Sequence, residues 1–475
     1  MKRLDRARPA HDMSPMLISV PRSIRLALLG VAPLLGLVGC SATRPQAPAT
    51  PVIKEAAAPV SPAPPKPYFD PAHPVMLGID VLQEEGFAPI RGKSVGLLTH
   101  PAGVNMHGVS TIDVLRHAPD VHLVALFAAE HGLYGEYASG VNFTDRPDPR
   151  TGLMVRSLYN GIRSRDGVAN RPTKAQLKGI DAMVIDLQDI GSRSYTFIGA
   201  MKVCMEGCFE NGVEVVVLDR PNPLGGLKVD GPPLDAQWEG NYVSEFRVPY
   251  VHGLTIGELA RLAKEAPDVL KIPEAMREGG RLVVVPMRGW RRIMRWPDTG
   301  LQWVPTSPFI PDFSAVEGYP MTGLGSQRGG FRNGIGTAYP FRGISFHGVR
   351  FETLERDINA CEIPGIGLRR VSVPDPKTGK PELGLYVEIT DWDLWRPTEL
   401  SAYLLKLACK YDPRNPFASM TPGEVRSFLI YWGSTAFLKD LAAHGAKVDV
   451  AAHVRDWQAK AAVYQQQSRR YWLYR

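Results

Sequence analysis

The sequence predicts an α/β fold: a Rossmann-like N-terminal domain followed by a smaller α+β C-terminal domain. One observation carries the first part. From about residue 76 to 220, short continuous apolar runs alternate with helical segments. Continuous apolar runs are the mark of parallel strands covered on both faces. A second observation marks the second part. After about residue 298 the texture becomes rich in turn residues, and residues 319–344 carry many glycines and few apolar runs.

The elements follow in order. "KSVGLLTH" (93–100) is a β-branched, glycine-bounded strand, and "STIDVLRHA" (110–118) a helix with Ser110 as N-cap. "VHLVALFAA" (121–129) is a second strand, "KAQLKGI" (174–180) a short helix, and "DAMVIDLQ" (181–188) a third strand. A helix through "GAMKVCMEGCFENG" (199–212) ends at Gly212 and leads into the strand "VEVVVLD" (213–219). Cys204 and Cys208 share one face of that helix, as small buried residues. "TGLQWVPTSPFIPDF" crosses between domains, and residues 319–344 form a long loop. "GVRFETL", "LRRVSVPDP" and "ELGLYVEITD" read as strands. "PTELSAYLLKLACKY" (397–411) and the amphipathic "VRDWQAKAAVYQQQSRRYWLY" read as helices.

Ahead of this body, Arg22 and Arg25 precede a 13-residue apolar stretch, Leu26 to Val38, that is too short to span a bilayer. It runs into Leu37-Val38-Gly39-Cys40, which looks like a bacterial lipobox with Cys40 as the lipid-bearing first residue of the mature chain. The Ala/Pro-rich stretch to residue 67 reads as a semi-rigid tether. The expected organisation is therefore a signal peptide at 1–39, a lipidated Cys and tether at 40–67, a Rossmann-like catalytic domain at 68–297 and an α+β domain at 298–475 that completes a cleft. The expected address is an exported lipoprotein, anchored to the membrane through Cys40 on the periplasmic face of the outer membrane, with Ser41 next to the anchor. The leader holds +4 of the formal net charge of +7, so the mature chain shows no basic footprint for nucleic acid.

Polar residues collect just after the predicted strands. They are Glu130, His131 and Glu136 in "EHGLYGE", then Asp186, Gln188, Asp189, Arg193 and Tyr195 in "DLQDIGSRSYTF", then Asp219, Arg220 and Asn222 in "DRPNPLGG". Open α/β sheets bind ligands at the carboxyl ends of their strands, so the clusters converge on one crevice. The structural alternative makes Asp219–Arg220 and Asp189–Arg193 ion pairs that close loops. The first loop, "THPAGVNMHG", lacks G-x-G-x-x-G and with it a dinucleotide site. No Cys/His spacing resembles a zinc site, so neither cofactor nor metal is expected. A metal-dependent amidase or esterase using His100, His131 and His252 is disfavoured, because H-E-x-x-H and G-x-S-x-G are absent. Carboxylates in such a crevice suit glycosidic hydrolysis, in which one carboxyl protonates the leaving oxygen and another acts as base or nucleophile. Glu130, beside apolar Phe127, Ala128, Ala129 and Leu133, suits the acid; Glu136, Asp186 and Asp189 are candidates for its partner. His131 would orient Glu130, and Arg193 and Arg220 would hold an anionic sugar substituent.

The blocks "GIDVLQEEGFAPIRGKSVGLLTHPAGV", "LFAAEHGLYGE", "TGLMVRSLY", "IDLQDIGSRSYTFI", "VLDRPNPLGG" with "GPPLD", and "PYVHGLTIGELA" resemble, in order, those of the NamZ-type exo-β-N-acetylmuramidases. The resemblance runs from Gly78 to about Ala260 and more thinly through "WVPTSP" and "GYP" to "RRYWLY". It implies an exported peptidoglycan hydrolase, with a Rossmann-like domain, a smaller second domain and a cleft between them. It implies release of N-acetylmuramic acid from the non-reducing ends of glycan fragments, without a cofactor. It implies Glu130 as the leading catalytic carboxylate, with His131, Asp186, Gln188, Asp189, Arg193, Tyr195 and Asn222 in the site and His252 as a further sugar contact. One departure stands out. Where the family carries a "FEGTN-SEGRGT" type loop with two glutamates, this chain has "GYPMTGLGSQRGGFRNGIGTAYPF", with Ser326, Gln327 and Arg328 at the acidic positions. If the family's second carboxylate comes from that loop, this chain must use another, such as Glu136 or Asp186, or do without one; Arg328 or Arg332 would change the sugar substituent held. The alternative is a lipid-anchored glycan-binding protein without catalysis.

Overall fold

The computed structural model describes residues 74–161, 170–324, 328–374 and 381–475. Cys40, the leader and the tether lie outside the described residues.

Seven strands form the first sheet: β1 (Ser94–Thr99), β2 (His122–Ala128), β3 (Arg146–Pro147), β4 (Met154–Ser157), β5 (Ala182–Asp186), β6 (Glu214–Leu218) and β7 (Leu282–Val285). Their order is β3-β4-β2-β1-β5-β6-β7. Every neighbour pair is parallel except β3 with β4. The chain builds outward from β1 through β2 to β4, then returns to add β5, β6 and β7 on the other side. That is the doubly wound arrangement, whose ligand crevice opens where the two directions part.

The strands are buried on both faces because their side chains alternate between two apolar layers. Leu98, Phe127, Met183, Ile185, Val215 and Val217 join the layer that includes the helix Thr196–Glu210. Leu97, Leu126, Ala128, Val184, Val216 and Leu218 join the other layer. Cys204 and Cys208 lie in the first layer as free, fully buried thiols.

Four further strands, β8 (Phe331–Arg332), β9 (Gly343–Phe346), β10 (Ile366–Pro374) and β11 (Pro381–Ile389), form an antiparallel sheet in the order β10-β11-β9-β8. The predicted α/β class with a separate α+β part is therefore what the chain adopts. The apolar layer of the first sheet continues through Leu404, Trp432, Phe437 and Trp457 of the later helices.

Three local readings are corrected. Residues 319–344 are not one long loop: they hold the helical turn Tyr319–Gly323, strand β8 and the start of β9. "GVRFETL" enters the helix Phe351–Asn359, in which Leu354 and Ile358 supply a buried stripe at helical spacing. "KAQLKGI" is a run of turns rather than a helix. The terminal RRYWLY packs back on the first sheet. Tyr474 OH donates to Asp219 Oδ2 at 2.6 Å, and the Arg292 guanidinium lies 3.7 Å over the Trp472 ring.

Candidate active site

Strand β2 ends at Ala128, and the chain then turns sharply. His131 and Gly132 are both left-handed, with φ of 70° and 80°. Gly132 suits this turn because its φ of 80° lies in a region that L side chains rarely adopt. The non-glycine His131 in this region costs roughly 1–3 kcal/mol, a strain that clusters at functional sites. The turn places Glu130 and His131 on the wall of a cavity of about 550 Å³. That volume lies in the range of small-molecule sites.

Glu130 is buried and held at both oxygens. Ser139 Oγ, the Gly140 N–H and Tyr159 OH donate to Oε1 at 2.8, 3.0 and 3.4 Å, and Thr196 Oγ1 donates to Oε2 at 2.9 Å. Three of these partners are hydroxyls, which can also accept. The carboxyl can therefore carry or release a proton without losing its contacts. Among the described residues no cation pairs with it. His131 donates from Nδ1 to the Tyr137 carbonyl at 3.0 Å, which leaves Nε2 as an acceptor.

Aromatic rings build the remaining walls. Tyr195, Tyr242, Tyr319, Phe341 and Tyr431 line the cavity. Tyr195 OH bonds Thr306 Oγ1 at 2.6 Å, and Ser194 Oγ bridges Tyr250 OH and Tyr319 OH at 2.7 and 3.1 Å. Burial, with the Glu130 charge next, holds the Tyr159, Tyr242 and Tyr431 hydroxyls above the usual phenol range, so all three remain donors. The Tyr242 hydroxyl is buried and has no hydrogen-bond partner among the described residues. A ligand oxygen would satisfy it.

The structure brings Glu130, His131 and Tyr195 to this cavity and places the other sequence candidates elsewhere. Glu136 is tied to Arg146 and to the Tyr134 N–H, outside the cavity. Asp186 is fully buried in an ion pair with Arg220, 2.5 Å from its Nε and 2.8 Å from its Nη2, and takes a third bond from Thr111. Arg220 is thereby spent on Asp186; toward Asp219 it offers only its backbone N–H. Among the described residues no carboxylate pairs with Arg193. Its guanidinium donates to the carbonyls of Pro232, Val248, Tyr431 and Trp432 at 2.8–3.0 Å, which clamps the two halves of the chain together. Neither arginine is placed to hold a substituent in the cavity. Gln188 donates to the carbonyls of Asp189 and Pro221, and Asn222 to that of Leu254. His252 accepts the Leu254 N–H at Nδ1 and turns Nε2 toward Asp189, 3.3 Å away. These are loop-closing contacts.

Of the departing loop, Ser326 and Gln327 lie outside the described residues. Arg328 is engaged with Glu424 at 2.6 Å, while the segment beyond it contributes Ile335 and Phe341 to the cavity wall. Sequence reasoning missed Ser139, Tyr159, Thr196, Tyr242 and Tyr431. Tyr159, in the block "TGLMVRSLY" just beyond β4, and Thr196, in "IDLQDIGSRSYTFI" next to Tyr195, carried a signal.

Fold and cavity together define a class: a two-sheet α/β protein with an acid-bearing, aromatic-walled cavity on the carboxyl rim of its parallel sheet. The comparisons with known proteins place it further. The family model described as exo-beta-N-acetylmuramidase NamZ, N-terminal, matches residues 95–314, and its C-terminal counterpart matches 317–474. The chain belongs to this family of glycosidases. The peptidoglycan beta-N-acetylmuramidase NamZ of Bacillus subtilis (strain 168) is 35% identical over 336 residues, which covers 70% of this chain and 77% of that protein. A DUF1343 family protein of Bacteroides fragilis NCTC 9343, solved at 1.65 Å, is similar with a TM-score of 0.73 and 35% identity, over 84% of this chain and 99% of that one. A second protein of that description from the same strain, solved at 1.30 Å, has a TM-score of 0.62 at 23% identity and shares the fold, over 84% of this chain and 99% of that one.

Proposed function

We propose that this chain is an exo-acting glycoside hydrolase that releases N-acetylmuramic acid from the non-reducing ends of peptidoglycan fragments, with Glu130 as general acid and base. The observation that carries this reading is the Glu130 carboxyl, buried on a cavity wall among rotatable hydroxyls. In the forward step Glu130 gives its proton to the glycosidic oxygen as the C1–O bond breaks. Water then adds to C1, and its proton returns to Glu130. His131 Nε2, an acceptor on the same wall, positions that water. Tyr242 donates to a sugar oxygen. Among the described lining residues Glu130 is the only carboxylate, so the step relies on this Glu–His pair rather than on two carboxylates.

The test is hydrolysis of a chromogenic N-acetylmuramide and of N-acetylmuramoyl-N-acetylglucosamine by the mature protein and by Glu130→Gln. Turnover by wild type and its loss in the variant are expected. Binding of both sugars without turnover by wild type would instead favour a glycan-binding protein. We further propose that the chain is exported and anchored through Cys40. Incorporation of a palmitate analogue by wild type but not by Cys40→Ala would support the anchor, and equal incorporation would exclude it.

A further inference from the structure

A larger groove, of about 780 Å³, lies on the same carboxyl rim and has no part in the chemistry above. It is built by loops that follow β6 and β7, by the segment around Trp392 and by one face of the helix Val450–Ser468. The sheet order puts the β2 and β7 ends four strand spacings apart, about 19 Å, so groove and cavity are separate sites.

Its lining is unusual for a surface. Leu227, Ile293 and Leu394 are 50%, 51% and 57% exposed, and all three line this one groove. Scattered exposed leucines need no explanation; a cluster on one concavity does. Among them stands Trp392, with Lys228 Nζ 5.0 Å and Arg295 Cζ 4.9 Å from its ring centroid. Trp395 lies beside it, with ring centroids 4.9 Å apart, and its buried Nε1–H has no hydrogen-bond partner among the described residues. Lys228 donates to the carbonyls of Trp392 and Trp395, and no carboxylate pairs with it among the described residues.

Indole and aliphatic faces pack against the C–H faces of sugar rings, and Lys228, which unlike the Asp298-paired Arg295 has no carboxylate partner among the described residues, attracts an acidic substituent. A strand that alternates flat rings with acidic substituents matches both features. We propose that this groove is a second, non-catalytic site that holds an acidic glycan strand of the peptidoglycan type while the Glu130 cavity works on a chain end. The proposal rests on the reading that the substrate is peptidoglycan.

The probe is soluble glycan strand freed of its stem peptides, with neutral chitin oligomers as the uncharged control. Binding is measured on Glu130→Gln protein to block cleavage. Adding Ile293→Ser and Leu394→Ser, both at exposed positions, should weaken strand binding about tenfold with the melting temperature unchanged. Lys228→Met should weaken the acidic strand more than the chitin oligomer. In proteins that retain Glu130, the ratio of kcat/KM on strands to kcat/KM on the chromogenic muramide should fall with the groove variants. Equal strand affinity in wild-type and altered grooves would overturn the proposal, as would a groove that takes anionic vesicles or free stem peptide but no strand. A protein inert on muramides whose groove variants still lose strand binding would sink the catalytic reading and leave this one standing.

Discussion

Two acids stand at strand ends on either side of β1 in one sheet, and their surroundings have sent them different ways. Glu130, after β2, meets three hydroxyls, one backbone N–H and a cavity. Asp186, at the end of β5, meets the Arg220 guanidinium and the Thr111 hydroxyl and has no exposed surface. The two-pronged guanidinium contact, from 2.5 Å, fixes the carboxylate's geometry and occupies both its oxygens. Hydroxyls can both donate and accept, and so do not commit their partner in this way. The position of an acid on the carboxyl rim thus does not fix its surroundings; one carboxyl faces a cavity and the other an arginine.

The comparison breaks most sharply on paired substitutions. Glu130→Gln should lower kcat on the chromogenic muramide by about 10²–10⁴-fold, the usual worth of a positioned acid–base group, with little change in melting temperature. Arg220→Ala should do the reverse. It strands the Asp186 charge in the core and should cost about 3–5 kcal/mol in denaturant unfolding. If Arg220→Ala unfolds no more easily than Glu130→Gln, the contrast between the two acids is wrong.

A third acid sharpens the contrast. Asp219, just after β6, has hydroxyl partners like Glu130 but no cavity. Burial pushes its carboxyl up to about 7, against the hydrogen bond from Tyr474, with Glu258 pushing in the same direction as burial. Its ordinary value is 3.8, so between about pH 4 and 7 the folded chain keeps a proton that the unfolded chain has released. Its contribution to stability is then full below pH 4 and lost as pH rises through 7. Wild type should lose on the order of 1 kcal/mol per pH unit between pH 5 and 7 relative to Asp219→Asn, measured by urea unfolding. Parallel pH profiles for the two proteins would contradict this. The smallest effect is expected at the hydroxyls. Ser139→Ala removes one bond to Glu130, worth about 1 kcal/mol, and should lower kcat roughly fivefold. An unchanged kcat would show that Ser139 does not hold the acid in place.

The same contrast explains what the sequence made legible. Strands β1, β2, β5 and β6 could be read because burial on both faces demands unbroken apolar runs. β4 and β7 are only four residues long, too short to declare a period. "GVRFETL" misled because its β-branched and aromatic residues outweighed the helical spacing of Leu354 and Ile358. In the site, Glu130, His131 and Tyr195 were visible as polar residues at strand ends. Asp186, Gln188, Asp189, Arg193, Arg220 and Asn222 looked the same, because a charge that closes a loop and a charge that meets a ligand share one sequence signature. Only coordinates separate Arg193, which binds four backbone carbonyls, from an arginine waiting for an anion. The tyrosines that complete the cavity come from as far away as Tyr431, and no local pattern in the chain links them.

The central claim is that Glu130, and no other acid on this rim, reaches the bond to be cut. A crystal structure of Glu130→Gln soaked with N-acetylmuramoyl-N-acetylglucosamine tests it directly. The account predicts the glycosidic oxygen at hydrogen-bond distance, about 3 Å, from the introduced carboxamide. A disaccharide seated elsewhere on the rim, with that carboxamide out of reach of the linkage, would contradict it.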